Sequence, residues 1–200
     1  MADLGEGITV ERWAAWRATP ESPRPDVSFV PPLSRRRLSE VERAALSVAW
    51  AVRPDPMPED GLPVVFASRW GEIGTTFRLM SQFHEEGEMS PAGFSTSVHN
   101  AAPGAFSLLT RNKAAYTAIA ARSRSLSAGF LEALAQRTRV LFVYAEESTP
   151  LFYRPRFGPA QEAVAVAALI DSAAWRWKGD PLPPECSFDM FVELLEAASA

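Results

Sequence analysis

The sequence predicts a layered α/β fold, and three observations carry that prediction. Short apolar segments alternate with segments of ten or more residues that show helical periodicity. One segment, Val140 to Ala145, is apolar without interruption, the pattern of a strand buried on both faces within a parallel sheet. The 17 prolines are gathered into stretches that separate the elements instead of interrupting them.

Taken in order, Ile8 to Trp16 reads as a strand, on the β propensity of Val10, Trp13 and Trp16. Pro20 to Pro32 reads as a loop. Ser39 to Val52 is a helix: Ser39 and Glu42 form the S-x-x-E capping box, and Val41, Ala45, Val48 and Ala49 share one face. A proline-rich loop, Pro54 to Pro63, leads to a short apolar strand at Pro63 to Ser68. Gly71 to Glu86 is a helix, with Ile73, Phe77, Met80 and Phe83 at helical spacing. Pro91 to Leu109, rich in small residues, is expected to be partly helical. Ala115 to Ala121 is a strand and Leu126 to Gln136 a helix, with Leu126, Phe130, Leu131 and Leu134 on adjoining parts of its surface. After the Val140–Ala145 strand, Pro150 to Pro159 reads as a loop and Ala163 to Ile170 as another strand. Pro181 to Pro184 is a loop, and Ser187 caps a terminal amphipathic helix to Ala198.

The 200 residues are expected to form one domain, with no internal repeat and no shift in composition along the chain. A net charge of −4 argues against a nucleic-acid partner. A lone cysteine, Cys186, permits no internal disulfide, which fits a reducing, cytoplasmic setting. With only His84 and His99 beside it, no four-ligand Cys/His zinc site is available, so no metal or cofactor is expected. The segment MADLGEGITV lacks the apolar core of a secretory signal, and no apolar run approaches the length of a membrane span.

Several segments resemble a known family. They are RRRLSEVERAAL, VVFASRWGEIGTTFRLM, SPAGFSTSVHNAAPGAFSLLTRNKAAYTAIAARSRSLSAGFLEAL and RTRVLFVYAEE, with FASRWGE (Phe66 to Glu72) and SVHNAAPGAFS (Ser97 to Ser107) the most specific. Together they resemble the β-ketoacyl synthase-like chain length factors, short relatives of the synthase N-terminal domain found with aryl-polyene and other polyketide pathways. The resemblance spans roughly Val10 to Ile170. It implies a thiolase-like fold, here a single half. A full synthase has two such halves: the first ends in a nucleophilic cysteine at a helix N-terminus, and the second supplies two histidines.

In that comparison Ser123 falls where the cysteine belongs, and Arg122 and Arg124 replace small neighbours. A helix N-terminus turns a cysteine into a thiolate but leaves a serine hydroxyl needing a general base. The resemblance therefore implies a non-catalytic partner of a ketoacyl synthase in fatty acid or polyketide biosynthesis, forming a heterodimer or larger assembly. It implies dimerisation through the Ala115–Ala121 strand. Two other readings stay open: a serine-dependent acyltransferase or thioesterase using Ser123 with His99, and a self-associating structural protein of the same fold.

Individual residues carry paired readings. Ser123 is either a reassigned nucleophile or a helix cap. His99 is either a general base or a hydrogen-bonded residue at a subunit contact. Phe94, Ser97, His99, Asn100 and Phe106, with Leu108, are candidates for an interface or acyl pocket, and core packing is the plainer role for each apolar one. Arg35, Arg36 and Arg37 are candidates for docking an acidic acyl carrier protein, or are simply exposed. His84 to Glu88 lacks metal-ligand spacing and reads as a helix end capped by Gly87. No phosphate loop or G-x-S-x-G elbow is present.

Overall fold

The computed structural model describes residues 4, 6–157, 162–176, 178–179 and 181–199. Its elements run β1 (Thr9–Arg17), α1 (Pro32–Arg35), α2 (Glu40–Val52), β2 (Val64–Ala67), α3 (Ile73–Glu86), α4 (Pro91–Ser95), α5 (Ala101–Thr110), β3 (Tyr116–Ile119), α6 (Ser125–Ala135), β4 (Arg139–Glu146), α7 (Arg154–Phe157), β5 (Val164–Asp171) and α8 (Phe188–Ala198). One five-stranded sheet has the order β1-β5-β4-β2-β3. β2 lies parallel to both β3 and β4, while β5 is antiparallel to β4 and β1.

The sheet separates two cores. Because strand side chains alternate, the central strands feed both. Phe142, Val166, Ala168 and Ile170 point to one side, Leu141, Val143, Ala167 and Leu169 to the other. α6 and α8 cover the first side, where Phe130, Phe142 and Phe191 meet edge to face with centroids 5.1 to 5.6 Å apart. α2 and α5 cover the second, with Val41, Ala45, Val48, Ala49 and Phe106 packed against Phe66 and Leu141. The uninterrupted apolar run of β4 thus reflects burial on both faces, with a parallel neighbour on one side and an antiparallel one on the other.

Ser39 caps α2 as the sequence predicts. Its Oγ accepts from the Glu42 N–H at 3.0 Å and its own N–H donates to Glu42 Oε2 at 2.8 Å. Ser187 caps α8, and Gly87 ends α3 in the left-handed region at φ 75°. A bulge in β1 between Val10 and Arg12 turns Glu11 toward β4, where it accepts two bonds from Arg139 at 2.7 and 2.6 Å.

Three expectations change. α3 buries Ile73, Thr75 and Leu79, with Leu79 against Gly93 of α4, while Met80 and Phe83 of the Ile73–Phe77–Met80–Phe83 row are more than half exposed. The helix has no sheet to lie on, so its longest apolar row is not its buried one. The Pro150–Pro159 stretch contains helical turns at Leu151–Tyr153 and α7, because a proline fits the first turn of a helix. Residues 158 and 159 of that stretch lie outside the described residues, as does Trp177. Trp175, for which the sequence offers no role, is a buried member of the α6/α8 core.

Gly129 gives a test of the packing. It sits inside α6, where helix propensity alone favours alanine by about 1 kcal/mol. A Cβ there would stand 2.4 Å from the Ala67 Cβ of β2. Gly129→Ala is expected to destabilise the protein by about 1–3 kcal/mol in urea unfolding; a gain in stability would show that α6 does not sit against β2 as described.

Candidate functional site

The functional features gather around the carboxyl ends of the parallel strands β2, β3 and β4. The chain leaves β2 toward β3 on one side and leaves β4 toward β5 on the other, so these ends flank a topological switch point. Open α/β sheets place ligands at such a point. Here the protein's own carboxylates occupy it. Glu146, fully buried at the end of β4, accepts from the Arg69 N–H and from Ser68 Oγ. The next residue, Glu147, accepts from the Gly74 N–H at 2.5 Å. Two consecutive glutamates therefore hold both ends of the 68–74 loop.

A third carboxylate ties that loop to α2. Glu72 Oε1 accepts from Ser39 Oγ at 2.9 Å and Oε2 accepts from Thr75 Oγ1 at 3.0 Å. Burial pushes the Glu72 carboxyl up to about 8, helped by the nearby charges of Glu42 and Glu147. Burial likewise raises Glu146 and Glu147 to about 7, against the opposing pull of their backbone hydrogen bonds. Glu42 is raised for the same reason. Among the described residues no group of three or more His, Cys, Asp or Glu side chains is arranged to hold a metal ion.

The turn from β3 into α6 carries the predicted nucleophile position. It begins with a 3₁₀ turn at Arg122–Arg124, and Arg122 adopts φ 56°, a left-handed conformation that costs a residue with a side chain of order 1 kcal/mol. Ser125 locks the turn: its Oγ accepts from the Ala121 N–H at 2.9 Å and donates to the Arg122 carbonyl at 2.8 Å. The helix-cap reading of Ser123 is thus corrected, since the neighbouring Ser125 binds the turn. Ser123 is exposed, and its Oγ donates to Glu185 Oε1 at 3.0 Å. It borders a polar cleft of about 480 Å³ with Arg17, Arg69 and Arg122. Cys186, in the same cleft wall, is buried, and burial pushes its thiol up to about 11, so it is not a reactive thiolate.

His99 belongs to a different place. Its Nε2 lies 2.9 Å from the Ser68 carbonyl oxygen, its ring packs near Phe66, and Gly71 leaves room for it, a Cβ there falling 2.8 Å from His99 Cδ2. No hydrogen bond joins it to Ser123. His99 and Asn100 instead flank the open edge of β3, beside Tyr116, Ala118 and Ala120. Ser97 bonds the Phe94 carbonyl within its own turn, at 2.9 Å. Phe94 is 61% exposed on α4 and Leu108 85% exposed on α5, whereas Phe106 is a core residue, not a surface one. Arg36 and Arg37 are exposed beside a cleft between α2 and α3, and the Arg35 carbonyl accepts from Arg43 Nη2.

The buried glutamates were missed by sequence reasoning. The Glu146-Glu147 pair directly after a fully apolar strand was the available signal, but its partners lie more than 70 residues away.

Comparisons place this geometry among known proteins. A family model described as "Beta-ketoacyl synthase, N-terminal domain" matches residues 13–186. Among solved structures, a chain of "Ketosynthase (ApeO) in Complex with its Chain Length Factor (ApeC)" from Xenorhabdus doucetiae is similar in fold. Its TM-score is 0.70 at 23% identity, over 86% of this chain and 81% of that one. No curated protein matches. The layered α/β fold is thus the thiolase-like one.

The raised carboxyls set a pH dependence. Each binds a proton more readily in the folded chain than in the unfolded one, so stability falls as pH rises from about 5 to about 8. Urea midpoints are expected to drop across that range, and Glu72→Gln to flatten the drop and raise the midpoint at about pH 8. A wild-type midpoint that climbs with pH would mean that these carboxylates are fully compensated as anions.

Proposed function

Because this chain belongs to the family of β-ketoacyl synthase N-terminal domains, we propose that it is a non-catalytic, chain-length-factor-like partner of a β-ketoacyl synthase in fatty acid or polyketide biosynthesis. The observation that carries the reading is the strand-to-helix turn at 121–125. Where the family resemblance calls for a cysteine nucleophile, an exposed serine is bonded to a carboxylate and flanked by two arginines. Its acceptor is the exposed carboxylate of Glu185, a far weaker base than the imidazole that activates a catalytic serine, and His99 is bonded elsewhere. The bulk and charge of the arginines disfavour an acyl chain at that spot.

The fold neighbour supports the same reading. It comes from a ketosynthase complexed with its chain length factor, and coverage of 81% of the matched chain fits a chain of single-half size. The partner would meet the open edge of β3. That edge exposes unpaired backbone groups, a liability that a partner strand removes. His99, Asn100 and Tyr116 border the edge, and Phe94 and Ser97 remain candidate interface residues on and just after α4. Arg35, Arg36 and Arg37 are the proposed docking residues for an acidic acyl carrier protein. The whole chain, 1–200, acts as one thiolase-like domain in this scheme.

The serine-enzyme alternative needs Ser123 and His99 as a pair, and their separate partners, Glu185 and the Ser68 carbonyl, weaken it. A self-associating structural role differs from the main reading only in what covers β3.

Co-expression with the ketoacyl synthase encoded nearest to it, followed by size-exclusion with mass detection, is expected to yield a one-to-one complex. Ala120→Arg, at an exposed position on the β3 edge, is expected to abolish the complex without unfolding the chain, and Ser123→Ala to leave product formation unchanged. Separate elution of the wild-type chains would reject the subunit role; loss of product with Ser123→Ala would restore the serine enzyme.

A further inference from the structure

A second cleft lies away from both the 121–125 turn and the β3 edge. It is bounded by the segment entering α2, by α3 and by α4, and has a volume of about 580 Å³. Arg36 and Arg37 stand on one wall and Arg78 on the other, with Ser90 and Thr96 along α4. In a chain of net charge −4 this is a local excess of cationic groups.

Those arginines are not neutralised within the protein. Among the described residues, ion pairs use Arg17, Arg53, Arg139 and Lys178, and none uses Arg36, Arg37 or Arg78. Arg78 bonds only the Thr75 hydroxyl, at 3.2 Å, and has Glu147 within electrostatic reach. The one carboxylate lining the cleft, Glu42, is buried and takes the Ser39 N–H. The wall is also pre-shaped. Arg43 donates to the carbonyls of Arg35 and Leu38, pinning the backbone on either side of Arg36 and Arg37. That turn is further closed by the Arg37 N–H on the Ser34 carbonyl at 3.0 Å.

We propose that this cleft binds the phosphate group of a small organic phosphate. Guanidinium groups bind phosphate through paired, charge-assisted hydrogen bonds, and three of them match a dianion better than a single carboxylate. The volume exceeds that of a bare phosphate and suits a small-molecule ligand. Ser39, Glu42 and Thr75 line the cleft beside Leu38, Leu79 and Ala92, so the lining meets the body of the ligand with both hydroxyl and apolar groups. This site does not need a synthase partner, but it shares Arg36 and Arg37 with the carrier-protein docking surface proposed above.

The test is calorimetric titration of the full chain with inorganic phosphate and with glycerol 3-phosphate, against sodium chloride at matched ionic strength. Saturable binding of both is expected, tighter for the organic phosphate. The Arg36→Gln/Arg37→Gln variant, altered only at exposed positions, is expected to lose at least about tenfold in affinity with an unchanged circular dichroism spectrum. Arg78→Gln is expected to do the same. Heats no larger than those of chloride, or wild-type affinity in the double variant, would overturn the proposal. So would binding of a polyglutamate peptide without binding of either phosphate, which would make the surface a docking patch for acidic protein. Phosphate binding by a chain that captures no synthase would sink the subunit reading alone; a synthase complex without phosphate binding would sink only this site.

Discussion

The architecture around the site depends on two buried carboxylates at the end of one strand. Glu146 and Glu147 leave the core strand β4 and take backbone N–H groups of Arg69 and Gly74, five residues apart in the loop that follows β2. A loop at this point would otherwise carry unsatisfied donors beneath α3. The same loop offers the Ser68 carbonyl to His99 and the Glu72 carboxylate to Ser39, the cap of α2. The sheet, the start of α2, the start of α3 and the turn before α5 are thereby joined through one short segment. The cost is desolvation of several carboxylates in one neighbourhood, which shifts them toward the protonated form.

Buried carboxylates fill part of the place where an open α/β sheet usually receives a ligand, and a polar cleft of about 480 Å³ bordered by Arg69, Arg122 and Ser123 lies at the same strand ends. The neighbouring turn at the end of β3 holds a strained backbone at Arg122, stabilised through Ser125. The hydroxyl beside it is engaged by the exposed carboxylate of Glu185, not by a histidine. Further exposed groups lie along the free edge of β3 and on the arginine-walled cleft at α2, α3 and α4.

Much of this was written in the residues themselves. Local signals fixed the elements: the Ser39–Glu42 capping box, the Gly87 terminus, the Ser187 cap and the unbroken apolar run of β4 all appear where the pattern puts them. They are legible because each depends on residues within a few positions of one another, as does the family signature in FASRWGE and SVHNAAPGAFS. Periodicity failed for α3, where burial was decided by what lay alongside the helix and not by its apolar row.

Tertiary structure alone decided which distant groups met. Nothing in the spacing of Ser123, Glu185, Ser68 and His99 tells that the serine finds the glutamate and the histidine finds a carbonyl. The glutamates of β4 likewise acquire meaning only from a loop more than 70 residues earlier. The physical reason is that capping, periodicity and turn chemistry act over single turns and strands. Burial, and the hydrogen bonds that buried polar groups must make, depends instead on the order in which strands enter the sheet.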